Sequence, residues 1–317
     1  MTTLPTDDLA PDFRRFQQTL AAAYAAHPPL DSVSLDAARA ITEQVRAPLA
    51  RGGPAMVQRE DHRLPGGLHV RVLRPSDAPL LPALVYLHGG GWVFFSLETH
   101  DRLMRELAAR SGRVVIGVDY SRAPEARFPV ALDETLAAWR WVRDSAAALG
   151  VDPARIALGG DSAGANLALS AALDLRAEGA RPDALLLLYG AFSDDDSGES
   201  FTRFDGPAYT LGRDEMRGFW SQYLRDERDR ADPRAMPLKA ALGDLRGLPR
   251  CALVVPECDV LRDGSLALAA RLQAAGVPVS LQRHAGATHS FLEAVSFSPL
   301  ADRALGQCSG WLRGNPA

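Results

Sequence analysis

Lysine is almost missing from this chain of 317 residues: of 35 basic residues only Lys239, in "AMPLKAA", is not arginine. A Ser-x-x-Lys acyl-transfer site, a phosphate loop of the Walker type and a Schiff-base lysine each need a lysine in a defined local context, and Lys239 stands in none of them. Cysteine is scarce too. Cys251, Cys258 and Cys308 are odd in number and lack the paired spacing of a metal site, which points to reduced thiols and away from a disulfide framework. Long apolar runs are absent: the longest, "ALLLLYGAF" at 184–192, is about half of what a membrane-spanning helix requires. A basic patch is absent as well, since the arginines are scattered and the formal net charge is −4, so no nucleic-acid partner is expected. The opening "MTTLPTDDLAPDF" carries acids where an export signal needs a basic and then an apolar stretch, and the expected location is the cytoplasm.

What is present is an ordinary globular composition, 47% apolar and 23% charged, enough to bury a large core. Two helical patterns, 8–26 and 34–50, flank the breaker "HPPLDS", and extended segments at 55–64 and 68–74 surround a "PGG" turn. Short apolar runs then alternate with helical patterns: "ALVYLH", "VVIGVDY", "RIALGG", "ALLLLYG", "CALVVP" and "VPVSLQRH". Runs of this kind imply an α/β fold, with one mostly parallel sheet and helices on both faces. About sixty residues after "ALLLLYG" pass without a strand pattern. The expected organisation is therefore an N-terminal helical unit at 1–52, an α/β core at 53–190 and 250–317, and a helical insertion at 191–249 that leaves from a strand end and is placed to cover a site.

"GDSAGANLALSAAL" places Ser162 between Gly160 and Gly164, after a strand pattern and before a helix. A G-x-S-x-G sequence in that context presents the hydroxyl on a tight turn above the sheet, with the helix N-terminus behind it. "HGGGW" at 88–92 follows an earlier strand pattern, and its glycines let backbone N–H groups approach a developing oxyanion, with the Ala163 N–H as a further donor. Ser162 needs a base. His27, His62, His69 and His100 have no supporting context, His88 belongs to the glycine loop and is expected to order it, and His284 ends an extended run. His289, in the loop beyond the last strand pattern, is the better base. The acid should fall between Ser162 and His289 in the chain, and "PECDVLRDG" supplies Glu257, Asp259 and Asp263. Asp263 reads as the N-cap of the next helix, which leaves Glu257 and Asp259. Trp92, Phe94 and Phe95, with Tyr209 and Phe219 from the insertion, are placed to wall an apolar substrate pocket.

Taken in order, "HGGGW", "DYSRAPEARFP", "GDSAGANLA", "DVLRD" and "HSF" resemble the hormone-sensitive lipase family of α/β-hydrolases, in its bacterial carboxylesterase branch. The likeness covers most of the chain from residue 83 onward. It implies a helical cap over the site, Asp259 as the orienting acid beside Ser162 and His289, and an oxyanion hole of Gly90, Gly91 and Ala163. Arg122 and Glu125 are expected to form a supporting pair. Val260, Ser290 and Ala165 stand where the family usually has proline, glycine and glycine. The implied activity is hydrolysis of short- to medium-chain acyl esters without metal or cofactor. An amidase, arylformamidase or deacetylase on the same fold is the alternative, and a ligand-binding homologue without catalysis a more distant one. The expected partner is a small ester and, at most, a second copy of the chain.

Overall fold

The computed structural model describes residues 8–206 and 208–314, so the first seven residues of the opening stretch lie outside the described residues. Helix α1 (Pro11–Ala25) begins on proline, whose missing N–H costs nothing at a first turn, and buries Phe13, Phe16 and Leu20 along one stripe. Helix α2 (Leu35–Arg46) is capped by Ser34, whose hydroxyl accepts the Ala37 N–H at 3.3 Å. Strands β1 (Gln58–Arg63) and β2 (His69–Arg74) form the expected antiparallel hairpin.

The alternating segment follows as β3 (Leu81–Leu87), α3 (Leu97–Ser111), β4 (Val114–Asp119), α4 (Val130–Asp144), the short α5 (Ala146–Leu149), β5 (Val151–Asp161), α6 (Ala163–Ala177) and β6 (Ala184–Leu188). Among the described residues of 191–249 there are helices α7 (Glu199–Arg203), α8 (Arg213–Tyr223) and α9 (Leu242–Leu245) and no strand. The chain then returns as β7 (Arg250–Cys258), α10 (Arg262–Ala274), β8 (Val279–Thr288) and α11 (Pro299–Arg313). The eight strands form one sheet in the order β1-β2-β4-β3-β5-β6-β7-β8, antiparallel at β1, β2 and β4 and parallel from β4 to β8. Both faces are covered. Leu132 and Trp139 of α4, Leu167 and Leu169 of α6 and Leu268 of α10 close one core, while Leu103 and Met104 of α3 and Leu305 and Leu312 of α11 close the other. Covering both faces is why the strands read as unbroken apolar runs.

One local expectation is corrected. Asp263 does not cap α10; Leu261 occupies that position and Asp263 lies in the first turn, where its carboxylate accepts the Ser200 N–H at 2.9 Å and pairs with Arg262 at 2.8 Å. The helix starts earlier because Asp259 already takes the Leu261 N–H, at 2.9 Å.

Candidate active site

Parallel strands end on the same side of a sheet, and four of these ends carry the candidate residues. Ser162 follows the last residue of β5, whose Asp161 is in register with Leu188 of β6. Cys258 of β7 is in register with Thr288 of β8, so Asp259 and His289 each lie one residue past a paired position. The glycine loop follows β3, whose Leu87 is in register with Gly160. Residues 127 and 30 apart in sequence thereby meet: His289 Nε2 lies 2.9 Å from Ser162 Oγ, and its Nδ1 lies 2.7 Å from Asp259 Oδ2. Asp259 accepts at Nδ1, which leaves the Nε2 lone pair facing the hydroxyl. All three side chains are buried, with 7% exposure at Ser162, 5% at His289 and 2% at Asp259. Glu257, the rival acid, turns to Arg283 on the neighbouring strand, with contacts of 2.5 and 3.0 Å.

Ser162 has φ 53° and ψ −116°, a conformation that costs an L-residue on the order of 1–3 kcal/mol. The sheet and helix hold it there: its N–H donates to Leu188 O at 2.9 Å, and its carbonyl accepts from Ala165 at 3.1 Å. The turn is tight enough that a Cβ on Gly164 would sit 1.9 Å from the Leu87 carbonyl oxygen, and one on Gly160 2.4 Å from it, so only glycine fits at either place.

The glycine loop closes over this turn. Gly90 has φ +110°, and its carbonyl accepts the N–H groups of Val93 and Phe94 at 3.0 and 2.9 Å. The N–H groups of Gly90, Gly91 and Ala163 have no protein acceptor among the described residues, and Gly90 and Gly91 border the same cavity as Ser162. Beneath the loop lies a side chain that the sequence reading passed over although it stands in the quoted motif. Asp161, 1% exposed, accepts the Gly89 N–H at 3.0 Å and the Tyr86 hydroxyl at 2.7 Å, and its other oxygen lies 3.3 Å from His100 Nε2. Burial is the largest influence on both members of the Asp161–His100 pair and opposes charge, but their attraction, together with the Tyr86 hydrogen bond and His88 at Asp161 and with Glu293 at His100, lowers the Asp161 pKa and raises that of His100. His88, stacked on Tyr120, bonds Gly89 O through Nδ1 at 2.7 Å, and burial first, then the nearby His100, lowers its pKa to about 4.

A cavity of about 380 Å³ opens above Ser162 and His289. Phe94, Phe95, Tyr209 and Phe219 line it, together with Leu20 and Tyr24 of α1 and Thr42 and Arg46 of α2. Trp92 does not. Expected at the pocket wall, it has φ 61° and is fully buried, stacked on Tyr223 at 4.3 Å and against Trp220 at 4.4 Å, so that it ties the glycine loop to α8. The supporting pair is corrected as well. Glu125 pairs with Arg39 of α2 at 2.7 Å, while Arg122 donates to Phe95 O at 3.0 Å. The first helices bring in an arginine from 86 residues upstream, which no local motif announces. Among the described residues no group of three or more His, Cys, Asp or Glu side chains is disposed to hold a metal ion, and no helix is long and apolar enough to cross a membrane.

Parallel strands, a serine on a strained strand-to-helix turn and a histidine and acid at later strand ends define a hydrolase architecture, and comparison with known proteins agrees. Residues 84–293 match the model of a family with the alpha/beta hydrolase fold, and the chain belongs to that family. It is 37% identical over 313 residues to an ethyl acetate hydrolase of Pseudomonas putida, covering 94% of this chain and 96% of that protein. A carboxylesterase of Mycobacterium tuberculosis is 39% identical over 230 residues, 72% of each chain. Among solved structures, a hyperthermophilic esterase from the archaeon Pyrobaculum calidifontis superposes with a TM-score of 0.89 at 34% identity, covering 96% of this chain and 98% of that one. The chain is a carboxylic ester hydrolase.

Proposed function

We propose that this chain is a serine carboxylesterase of the hormone-sensitive lipase branch, acting on short- to medium-chain acyl esters through Ser162, His289 and Asp259. The observation that carries the reading is the buried chain of hydrogen bonds from Ser162 Oγ to His289 Nε2, 2.9 Å, and from His289 Nδ1 to Asp259, 2.7 Å. Ser162 Oγ attacks the ester carbonyl while its proton passes to His289 Nε2, and Asp259 holds the Nδ1–H and offsets the imidazolium charge. The carbonyl oxygen becomes an oxyanion facing the N–H groups of Gly90, Gly91 and Ala163, which are preorganised for it. His289 then gives its proton to the leaving alcohol as the C–O bond breaks. Water, deprotonated by the same imidazole, attacks the acyl-enzyme and frees the acid and Ser162. The first two helices and the 191–249 insertion act as the cap: residues of both line the cavity, whose volume suits a small ester.

Replacing Ser162 or His289 by alanine lowers kcat on the order of 10⁶-fold, and Asp259→Asn lowers it on the order of 10⁴-fold through the wrong imidazole tautomer. Glu257→Gln, tested beside them, leaves kcat within about threefold, since Glu257 serves Arg283. A crippled Glu257→Gln enzyme with an active Asp259→Asn enzyme would overturn the assignment. Rates over p-nitrophenyl esters of increasing acyl length fall beyond medium chains; a maximum at long chains with activation at an oil interface would point to a lipase instead.

A further inference from the structure

Among the described residues five other than glycine have positive φ: Trp92, Phe95, Ser162, Tyr189 and Ser290. Four of them belong to the segment after β3, the nucleophile turn or the His289 loop. Tyr189, with φ 40°, is the fifth, and no step of acyl transfer described above uses it. A side chain held in that region is disfavoured and persists only where its surroundings over-determine it. The hydroxyl adds a second cost, because it is buried and has no hydrogen-bond partner among the described residues. Tyr189 begins the bend that follows β6. Its N–H donates to Val254 O at 2.8 Å; on one side of it Leu188 O accepts the Ser162 N–H at 2.9 Å, and on the other the Ala191 N–H donates to Ser162 O at 3.3 Å. The bend is thus bonded to the nucleophile turn on both sides of Tyr189. The side chain goes to the base: its ring meets the His289 imidazole edge-to-face, with centroids 5.1 Å apart and planes at 68°. Phe291 stands beside it at 5.9 Å, and Phe13 of α1 backs Phe291 at 5.9 Å. Tyr189 is 1% exposed and Phe291 and Phe13 are fully buried, so this row of rings has little room to yield. Tyr189 does not line the cavity, and a substrate there does not touch it.

From this placement we infer that Tyr189 is a positioning residue, whose ring holds the His289 imidazole in line between Ser162 Oγ and Asp259. The inference rests on the serine esterase reading above, in which His289 moves the proton. Hydrogen bonds at Nε2, 2.9 Å, and Nδ1, 2.7 Å, fix two points on the edge of the imidazole. A ring wedged against it removes the sideways freedom that those bonds leave. Because the backbone of the same residue is bound to the Ser162 turn, nucleophile and base are set against each other by one residue. The aromatic ring carries this role and the hydroxyl has no part in it, since that oxygen bonds nothing.

Three variants of the intact chain test this. Tyr189→Phe keeps the ring, whereas Tyr189→Leu and Tyr189→Met keep an apolar side chain, unbranched at Cβ, without it; the methionine variant stands in where the leucine variant does not fold. With p-nitrophenyl acetate, Tyr189→Phe retains kcat within about twofold and melts no lower than the wild type, since an unpaired buried hydroxyl has been removed. In the leucine and methionine variants kcat per folded molecule falls about 100-fold while KM stays within about threefold, because the base is displaced and the cavity wall is not. Proton NMR gives a readout independent of turnover: the downfield resonance of the His289 Nδ1–H, sharp in the wild type and in Tyr189→Phe, broadens in the other two. A leucine or methionine variant that melts lower yet keeps kcat and a sharp resonance would make Tyr189 a core residue only and overturn the inference. A phenylalanine variant as slow as the leucine variant would overturn it too, leaving the esterase intact. Wild-type chain that a fluorophosphonate fails to label at Ser162 would bring down the esterase reading itself and the inference with it.

Discussion

Ser290 follows His289 with φ 60° and ψ 18°, the left-handed conformation that glycine adopts freely and a serine adopts at a cost. The conformation explains why glycine is usual there in the family that the sequence resembles, and why serine, small and polar, is tolerated. Ser290→Gly exchanges local strain for unfolded-chain entropy, so its stability stays within about 0.5 kcal/mol of the wild type. Ser290→Val, with a branched Cβ, destabilises by about 2 kcal/mol and moves the His289 loop, lowering kcat. Thermal melts and ester rates of the two variants check both statements; equal melts would show that the backbone there is free to relax. Where chemistry narrows the choice the sequence singles out Ser162 and His289, and their side chains lie 2.9 Å apart. Such a reading fails where a partner comes from far along the chain. Glu125 was matched to Arg122, three residues away, whereas Arg39 reaches it from α2; Asp263 was read as a cap from its sequence position alone, whereas its carboxylate reaches Ser200 of the insertion.

At the level of elements, apolar runs indicated six strands and the hairpin two more, because a sheet covered on both faces leaves no polar side to interrupt the pattern. β5 was read from residue 155 onward although it begins at Val151, since "DPAR" carries three exposed residues at a strand start. The pattern did not say how strand ends support one another. Asp161, the last residue of β5, holds the glycine loop after β3 through the Gly89 N–H, and it also binds Tyr86 on β3 and His100 on α3. Two strand ends are thereby fixed against each other beneath the glycine loop, which is proposed to hold the oxyanion. Asp161→Asn keeps the shape and an oxygen for the Gly89 N–H and the Tyr86 hydroxyl, but it removes the charge that faces His100 and the second acceptor oxygen. We expect kcat to fall about 100-fold, comparable with loss of one oxyanion donor, while KM stays within about threefold. Steady-state kinetics separates this from a merely structural role, in which the melting temperature drops and kcat per folded molecule does not.

On the scale of the whole molecule, the first two helices are tied to the core by groups that no local pattern reveals, since residues that meet lie 86 positions apart at Arg39 and Glu125 and 247 apart at Arg46 and Glu293. Arg46 of α2 and Glu293, just past the His289 loop, form an ion pair at 2.8 Å with side chains only 6% and 3% exposed, and the guanidinium also lies 5.0 Å over the Phe95 ring. Arg46 Nε and Glu293 Oε1 have no hydrogen-bond partner among the described residues, so this pair is imperfectly satisfied. A buried pair of this kind need not favour stability over an apolar replacement, but losing one member strands a charge in the interior. Arg46→Leu alone therefore destabilises by about 3–5 kcal/mol, and Glu293→Leu alone by a similar amount. The double variant recovers most of that loss, because neither charge is left behind. Denaturation of the four proteins gives the coupling directly. Singles that simply add in the double would mean that the helices are held by Phe13, Phe16 and their apolar neighbours, with the ion pair contributing nothing of its own.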